Sequence, residues 1–543
     1  MANNVVFILT DQERFFPDTV RGLSMPGRER LAAEGVSFDS HYIASTLCTS
    51  SRSVIYTGQH MPVTRMFDNV TFPFVNSLDP EIPTMGTLFR RAGYQTAYKG
   101  KWHLTSEFEP SPEMVRLQTD RMERYGFSDW NRAGDITGDP WDGYQTDLTT
   151  AAAASEWLRA KGTRLTAAKT PWLLAVNLVN PHDAMYFDTD LPERPVQTAQ
   201  DTLMDVRPAP DHGNYRTTYP NSPIPPSWNQ PINDEGRPPA HAEYQEVMAH
   251  VLGPVPPEHD RWERFRDYYF NCLAEVDRKI EFLLDELDTL GLMDSTVVVM
   301  TSDHGEMQGA HGLRGKGGNA YEESVHVPLL IRAPTGPRGS RCRAVTSHVD
   351  LIPTLLGLAD LPASTSTPLT HGLPGHDASA IVKEPSASEV DRIRPGALFA
   401  ASNAIFLDGT FVGRLMELRA LGYSQEQIQA ELGAPDLGKR GMIRSVIDGR
   451  YKLTRYFAPL QHHRPTTVDE LRGRNDIELF DLADDPNEMS NLAAEGTRHR
   501  ALLETMNDKL THLLDSEIGI HEDGRYLPAV PGMNWAIDDF TNI

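Results

Sequence analysis

The sequence predicts an α/β fold, in which a large, mostly parallel sheet is sandwiched by helices and a smaller antiparallel sheet lies towards the C-terminus. Short apolar runs bounded by turn residues recur along the chain, and helical patterns separate them, as in parallel α/β sheets. Two Asp-Gly pairs among alternating apolar and polar residues beyond position 400 predict the smaller sheet. A chain of 543 residues also exceeds what one core usually supports, so a second region is expected.

The strands of the large sheet are predicted from apolar runs at residues 5–9, 95–99, 172–178, 296–301 and 327–331. Their apolar residues are continuous rather than alternating, which is typical of strands buried on both faces. Helical patterns separate these runs at residues 28–34, 84–92, 148–161 and 261–290. The alternation of strand and helix therefore favours helices on both faces of one sheet.

The chain is expected to divide into a large α/β domain, residues 1–385, and a C-terminal α+β subdomain with an extended tail, residues 386–543. Residues 188–257 are rich in Pro, Asn, Asp and His, and we interpret them as an irregular surface excursion that shapes a substrate entrance. The hairpin signals fall at residues 406–413 (FLDGTFVG) and 445–457 (SVIDGRYKLTRYF). The tail from residue 515 is either an arm on a neighbouring subunit, which favours a homo-oligomer, or a wrap around its own domain.

Charge and cysteine content narrow the function classes. The net charge is −24, so a nucleic-acid binder is disfavoured, and an anionic substrate would need a local basic pocket. Three cysteines show neither a disulfide framework nor a zinc spacing, which fits a reducing compartment. The N-terminal apolar run is too short for a signal peptide and no stretch approaches a membrane span. These features predict a cytoplasmic protein without a membrane partner.

Two of the predicted strands are each followed by an aspartate and a second polar side chain. Asp11 and Gln12 come after the run at 5–9, and Asp303 and His304 come after the run at 296–301. Ligands of open α/β sheets bind beyond the carboxyl ends of the strands, so these four side chains form a candidate site for a hard divalent cation. The alternative is that each Asp only caps a helix or forms a turn.

Cationic side chains follow other predicted strands. Lys101 and His103 come after the run at 95–99, His182 comes after the run at 172–178, and Lys316 lies in a glycine-rich loop. A lone surface Lys is usually solvated and a lone His is usually a satisfied polar residue. Their shared position past apolar strands instead predicts a metal ion ringed by cations, which suits a tetrahedral oxyanion ester.

Cys48 stands at a predicted helix start in the stretch LCTSSRSVIYTG, residues 47–58. Ser50 and Ser51 are predicted to cap this helix, whose N-terminus would lower the thiol pKa and attract an anion. Arg52 would add charge-assisted hydrogen bonds. The alternative is a buried structural cysteine, although the polar neighbours argue against it.

These residues resemble the type I sulfatases of the alkaline phosphatase superfamily. The family signature Cys-x-Pro-Ser-Arg, followed by an apolar run and Thr-Gly, is similar to residues 48–58 here. The likeness extends, in order and spacing, over RERLAAEGVSF, GKWH, NPHD, TSDHGEMQGAHGLRGKGG, YEESVHVPLLIRAP, HVDLIPTLLGLA and ELFDLADDPNEMSNLA. The resemblance covers most of the chain and implies an alkaline-phosphatase-like fold.

The resemblance also implies a mechanism. In these enzymes a separate formylglycine-generating enzyme oxidises the signature cysteine to formylglycine. The aldehyde hydrates to a gem-diol, one metal-bound hydroxyl attacks sulfur, the alcohol leaves, and the second hydroxyl then expels sulfate. Carried over, Cys48 is the nucleophile precursor and a metal ligand, and Arg52 steadies it. Asp11, Gln12, Asp303 and His304 hold the metal, Lys101, His103, His182 and Lys316 contact the diol or the sulfuryl oxygens, and His182 or Lys316 protonates the leaving group.

Two departures from the family pattern bear on these implications. Ser50 stands where the family usually has proline, at a position that the modifying enzyme reads. Gln12 and His304 replace the Asp and Asn of many arylsulfatases, and these pairs look more like the branch that holds choline sulfatases and phosphonate monoester hydrolases. An imidazole ligand admits Mn²⁺ beside Ca²⁺.

Three hypotheses remain at this point. The first is hydrolysis of sulfate monoesters, in the manner of an arylsulfatase. The second is hydrolysis of phosphonate monoesters or phosphodiesters at the same site, as the main or a promiscuous activity. All these substrates carry one negative charge, so the pocket cations do not separate them. The third is an inactive relative that only binds an anion or a partner, which the full set of usable ligands disfavours.

Overall fold

The computed structural model describes residues 2–17, 20–72, 74–108, 119–132, 134–135, 138–385 and 389–526. Its strands are β1 Asn4–Asp11, β2 Val36–Phe38, β3 His41–Tyr42, β4 Gln95–Gly100, β5 Trp172–Pro181, β6 Thr296–Ser302, β7 Leu329–Arg332, β8 Ser340–Cys342, β9 Thr346–Ser347, β10 Ala397–Ala401, β11 Met442–Ile447, β12 Tyr451–Phe457 and β13 Asp476–Asp481. None of the helices within these residues combines the length and apolarity that crossing a bilayer requires.

The α-helices alternate with the strands through the first two thirds of the chain. They are α1 Pro26–Glu34, α2 Cys48–Thr57, α3 Met61–Thr64, α4 Met85–Arg91, α5 Asp142–Trp157, α6 Thr163–Ala167, α7 Ala240–Leu252, α8 His259–Thr289, α9 Glu322–Val325, α10 Leu351–Leu358, α11 Ala363–Thr370, α12 Ser379–Lys383, α13 Gly409–Ala420, α14 Gln425–Leu432, α15 Val468–Arg474 and α16 Arg500–Leu513. Each predicted strand and each predicted helix between the strands is present, with shifted ends.

A seven-stranded sheet in the described part of the chain has the order β4-β5-β1-β6-β7-β2-β8. Strands β4, β5, β1 and β6 are parallel, with Val5 opposite both Leu173 and Val297. Strand β7 runs antiparallel to both β6 and β2, so the sheet is mixed at that side. The predicted fold class, a mostly parallel sheet covered by helices, is confirmed.

Both faces of the large sheet are buried, and strand β1 shows why its sequence is continuously apolar. Phe7 and Leu9 pack with α2, α4 and α10 on one face. Val6 and Ile8 pack with α1, α5 and α8 on the other. Because successive side chains of a strand point to opposite faces, every position of β1 meets a helix layer.

A four-stranded antiparallel sheet with the order β10-β11-β12-β13 follows, as predicted. The Asp-Gly signal at 445–457 is the β11–β12 hairpin. The hairpin prediction at 406–413 is wrong, because these residues enter helix α13 instead. The Asp408 carboxylate accepts a hydrogen bond from the Phe411 N–H, so this Asp-Gly pair is a helix N-cap.

The excursion at 188–257 is not irregular throughout, since helix α7 lies within it. The first residues of the tail pack on their own chain, where the Tyr526 ring lies 6.1 Å from those of both Phe67 and Phe457. Residues 527–543 of the tail lie outside the described residues, and so do residues 386–388 at the proposed domain boundary. A homo-oligomer stays a prediction.

Candidate active site

The carboxyl ends of four adjacent parallel strands supply the core of the site. Asp11 is the last residue of β1, and Lys101, His182 and Asp303 directly follow β4, β5 and β6. These strands are neighbours in the order β4-β5-β1-β6, so their ends meet at one edge. Neither Asp11 nor Asp303 caps a helix, and both side chains are fully buried at this edge.

Arg52 of helix α2 joins the two aspartates. Its Nη2 lies 3.0 Å from Asp11 Oδ2 and its Nε lies 2.9 Å from Asp303 Oδ2, with all three side chains fully buried. Lys101 Nζ lies 2.7 Å from the same Asp11 Oδ2. Burial alone would raise the pKa of Asp11, but Lys101, His182, Arg52 and His304 outweigh burial and hold that pKa well below its usual range.

The cations occupy the Oδ2 atoms and leave each Oδ1 facing a common centre. His304 Nε2 lies 3.5 Å from Asp11 Oδ1, 3.6 Å from Asp303 Oδ1 and 3.1 Å from Cys48 Sγ. Ligand atoms of these four buried residues all lie within 4.8 Å of one another. Two carboxylate oxygens and an imidazole are donors that a divalent cation of the Ca²⁺ or Mn²⁺ type accepts, so the residues fit such an ion.

Cys48 is the first residue of helix α2. The helix therefore begins before Ser50 and Ser51, the residues predicted to cap it. Leu47 is the N-cap residue, so Ser50 and Ser51 lie inside the first turn and the predicted capping by them is wrong. The Ser51 hydroxyl donates to the Asp303 carbonyl instead, which ties the helix to β6. Burial and Asp11 oppose formation of the thiolate, but Lys316, Lys101 and His304 lower the pKa of Cys48 overall.

Lys316 lies between Gln12, which follows strand β1, and His182, which follows strand β5. Its ammonium donates to Gln12 Oε1 at 2.6 Å and to His182 Nε2 at 3.0 Å. Burial, followed by the Lys316 charge, holds the pKa of His182 well below its usual range, so this imidazole is a neutral acceptor. Glu306 accepts from the Gln12 amide and fixes the orientation of that side chain.

His103 faces the site with a positive φ of 57° and a neutral ring. Burial, with Lys101 and Arg52 nearby, holds its pKa well below the usual range. Both ring nitrogens lack a hydrogen-bond partner among the described residues. Asp135 fixes the backbone here, because its carboxylate accepts from the N–H groups of Trp102 and His103.

All ten sequence-predicted side chains are thus brought to one place, and the structure adds residues that sequence reasoning missed. Asp135 lies in an irregular segment more than thirty residues from His103, so no local pattern identifies it. Asn177 on β5 accepts from Arg52 and Tyr56 and was hidden inside an apolar run. Glu306 follows Asp303 and His304 closely enough that it could have been included as a third carboxylate.

A cavity of about 170 Å³ opens above Cys48. Its floor carries the polar residues Lys101, His103, His182 and Lys316. Its rim is largely apolar, with Asn69 and Thr71 as the neutral polar members. The apolar rim residues come from the excursion, helix α7 and four other segments, and they are Leu47, Phe72, Met185, Tyr186, Leu203, Met204, Met248, Val251, Ile405 and Phe406. The cavity therefore offers a polar, cationic floor to an anion and an apolar mouth to whatever the anion is attached to.

Comparison with known proteins places this arrangement in context. A family model described as sulfatase matches residues 3–361. The chain is 28% identical over 419 residues to the uncharacterized sulfatase YidJ of Escherichia coli strain K12, which covers 72% of each protein. It is 28% identical over 424 residues to the choline-sulfatase of Rhizobium meliloti strain 1021, covering 74% of this chain and 75% of the relative. In fold it is similar to the crystal structure of the phosphonate monoester hydrolase of Agrobacterium radiobacter, with a TM-score of 0.65, 20% identity, and coverage of 94% of this chain and 95% of the other.

Proposed function

Since the chain belongs to the sulfatase family and is a sulfuric ester hydrolase, we propose that it cleaves sulfate monoesters of apolar alcohols in the cavity above Cys48, as an arylsulfatase does. The observation that carries this proposal is the division of the cavity into a cationic floor beside Cys48 and an apolar rim. A sulfate monoester is divided in the same way, into a tetrahedral anion and an organic group.

Recognition of the anion is assigned to the floor. Lys316 and Lys101 supply positive charge, and the ring nitrogens of His103, which have no hydrogen-bond partner among the described residues, would bond a sulfuryl oxygen or the nucleophile. These groups are buried, so their interaction with the ester is weakly screened by water. The protein as a whole carries a net charge of −24, so the lysines make this cavity a local region of positive charge.

Asp11, Gln12, Asp303 and His304, with Cys48, are the residues that would hold the divalent ion. The ion, when bound, supplies Lewis-acid stabilisation of developing negative charge. Arg52 orients both carboxylates, because it bonds the Oδ2 atom of each one. Against the effect of burial, the two aspartates raise the pKa of Arg52, so the guanidinium stays charged. We therefore assign Arg52 the role of positioning the metal ligands Asp11 and Asp303.

Cys48 is proposed to act as formylglycine, which would supply, as its hydrate, an oxygen nucleophile for attack on sulfur. The position suits this role, because residue 48 begins helix α2 beside the unpartnered ring of His103 and the cations Lys101 and Lys316. The formylglycine-generating enzyme is the partner that this proposal requires, and it would have to accept Ser50 in place of proline.

Lys316 is proposed as the proton donor to the leaving alcohol. When the S–O bond to the alcohol breaks, the alcohol oxygen gains negative charge and needs a proton. Lys316 lines the cavity with its ammonium 3.0 Å from Nε2 of His182, and His182 is a neutral acceptor. This contact supports Lys316 over His182 as the donor, with His182 orienting the ammonium.

Loss of Lys316 should therefore depend on the leaving group. In the Lys316→Ala variant, kcat/KM for 4-nitrophenyl sulfate should fall about tenfold, since nitrophenolate leaves without a proton. For phenyl sulfate, a poorer leaving group, the loss should reach about 10³-fold or more. The measurement is the slope of log kcat/KM against leaving-group pKa over a series of aryl sulfates.

The control is His182→Ala, which removes the acceptor but leaves the ammonium in place. This variant should lose activity with less change in the slope, because Lys316 still provides the proton. An unchanged slope in Lys316→Ala would show that Lys316 is not the proton donor.

Substrate class is tested with two esters of one leaving group, 4-nitrophenyl sulfate and the 4-nitrophenyl monoester of phenylphosphonate. We expect kcat/KM to be at least about tenfold higher for the sulfate. Both esters carry one negative charge, so the comparison reports on the transferred group and not on charge. A higher value for the phosphonate would favour the second candidate function, for which the fold similarity to phosphonate monoester hydrolases is the supporting observation.

A further inference from the structure

A second and larger cavity, of about 540 Å³, lies beside the one above Cys48. Helix α7 separates the two, because Met248 lines both cavities and the Tyr244 hydroxyl donates to the Lys316 carbonyl at 3.2 Å. Lys316 faces the cavity above Cys48, whereas Arg314, two residues earlier, lines the larger one. The proposed hydrolytic reaction uses no residue that lines only the larger cavity.

Arg314 is a buried cation, and most of its donors have no acceptor in the described part of the chain. Its side chain belongs to a residue only 4% exposed, and of its guanidinium nitrogens only Nη2 donates, to the Met185 carbonyl. Nε and Nη1 have no acceptor among the described residues. The guanidinium carbon also lies 5.7 Å from the centre of the Phe265 ring.

No described carboxylate neutralises this charge. Glu306 is the acid with the strongest influence on Arg314, but its oxygens accept from the Gly315 N–H at 2.6 Å, the Gln308 N–H at 3.0 Å and the Gln12 amide. Burial lowers the pKa of Arg314 to about 10, which reflects the cost of an unpaired charge away from water. Such a cation is stabilised by an anion that enters the cavity.

Most of the remaining lining is apolar or aromatic, and Asn229, Gln230 and Gln245 are its neutral polar members. Trp262 is 2% exposed, lines the cavity, and its indole N–H lacks an acceptor among the described residues. Trp228 and the Pro-rich segment 253–257 line the cavity as well. Glu246, the one acid among the described lining residues, is exposed and so lies at the outer edge. The volume falls within the range of small-molecule sites.

We propose that this cavity is a second ligand site, which binds a small organic monoanion with an aromatic body. The anionic group, a carboxylate or a sulfonate, lies on the cavity side of the Arg314 guanidinium and offsets its charge, and the body packs against Trp228 and Trp262. Arginine suits planar carboxylates and the oxygens of sulfonates alike. Nη2 braces the Met185 carbonyl, and Nε and Nη1 are enclosed by the protein, so the charge of the guanidinium holds the ligand.

The test is calorimetric titration of the full-length protein with naphthalene-2-sulfonate and naphthalene-2-carboxylate. Two sites per chain are expected, one in each cavity, because the cavity above Cys48 also takes aryl anions, and the two probes show which anionic group the larger cavity prefers. Arg314→Met keeps the length and apolar packing of the side chain, and it should weaken binding at one of the two sites at least about tenfold and leave the other site unchanged. The uncharged analogue 2-naphthalenemethanol should bind the larger cavity of the wild-type protein at least about tenfold more weakly than the anionic probes do.

Two variants serve as controls. Arg264→Met removes an arginine that lies 5.8 Å over the Phe187 ring but does not line the cavity, and Lys316→Met removes a cation of the other cavity. Arg264→Met should keep the affinity of both sites within about twofold, whereas Lys316→Met should weaken only the site above Cys48. Unchanged affinity at both sites in Arg314→Met would overturn the proposal, and so would a single site that weakens only in Lys316→Met, which would assign the probe to the cavity above Cys48.

A cavity-filling variant keeps the proposal testable if Arg314→Met does not fold. Ala249 of helix α7 lines the larger cavity and is half-buried, so Ala249→Phe should occupy the space without touching the arginine contacts. One of the two sites should be lost for both probes in this variant. Retention of both sites would contradict the proposal. Because the readout is binding, it is independent of whether the protein hydrolyses sulfate esters.

Discussion

Replacing Cys48 with alanine should abolish turnover of sulfate esters and leave the fold intact. Removal of a covalent nucleophile costs on the order of 10⁶-fold in kcat in well-studied hydrolases, and we expect a loss of at least about 10⁴-fold here. The substitution removes one sulfur atom at the start of helix α2, and its contact partners Asp11 and His304 keep their other hydrogen bonds and ion pairs. The measurement is kcat/KM with 4-nitrophenyl sulfate, together with the midpoint of thermal unfolding.

Cys272→Ala is the matched control for that variant. Cys272 is also a buried free cysteine, but it lies in helix α8 away from the site. This variant should retain activity within a few-fold, even if the small cavity it creates lowers stability slightly. Wild-type turnover in Cys48→Ala would remove Cys48 from the reaction.

The state of Cys48 can be read directly by mass spectrometry of the tryptic peptide at residues 31–52. If the residue is formylglycine, the peptide has lost one sulfur and two hydrogen atoms and gained one oxygen atom. An intact thiol in protein purified from its native host would contradict the proposed nucleophile, whereas conversion would mean that the modifying enzyme accepts Ser50.

Replacing Asp303 with asparagine should remove bound metal and hydrolysis together. The amide keeps the size of the side chain and can still accept from Arg52 Nε, so the fold should persist, but one of two buried carboxylates at the proposed ion is lost. We expect the metal content to fall well below one ion per chain and kcat/KM to fall at least about 10³-fold. Elemental analysis and kinetics on the same preparation test both effects.

Two controls separate this effect from a general loss of charge. Asp294→Asn removes a carboxylate just before β6 whose side chain is fully exposed, and it should change neither metal content nor activity. Chelation of the wild-type protein should silence it, and Ca²⁺ or Mn²⁺ should restore it. Full activity in Asp303→Asn would contradict the metal site, and failure of both ions would contradict the proposed choice of metal.

Much of the fold was predictable because local sequence determines it. The run at β1 is apolar at every position, which is only stable when both faces are covered, and the structure covers both. The errors arose where one local pattern serves two structures. Asp408-Gly409 reads equally as a hairpin turn or as a helix cap, and packing against α7 decides for the helix. The direction of β7 likewise cannot be inferred from its own four residues, because it depends on the connection that precedes the strand.

The candidate site divides in the same way between sequence and structure. The rule that parallel strands end at one edge allowed Asp11, Asp303, Lys101 and His182 to be grouped from sequence, because each follows an apolar run. The sequence could not indicate which oxygen of each carboxylate faces Arg52 and which faces the centre, since that depends on distances of a few ångströms between distant segments. The role of Asp135 behind His103 was equally out of reach.

The sequence by itself determined the α/β class, the identity of the side chains at the strand ends, and the likeness to the sulfatases. Periodicity and motif spacing are local properties, and they remain readable along one chain. Only the tertiary structure decided the apolar rim above Cys48 and the burial of Arg314 without an ion-pair partner among the described residues, because each depends on which remote segments pack together. Burial and partnership of a charge are properties of the folded surroundings, and no residue type encodes them alone.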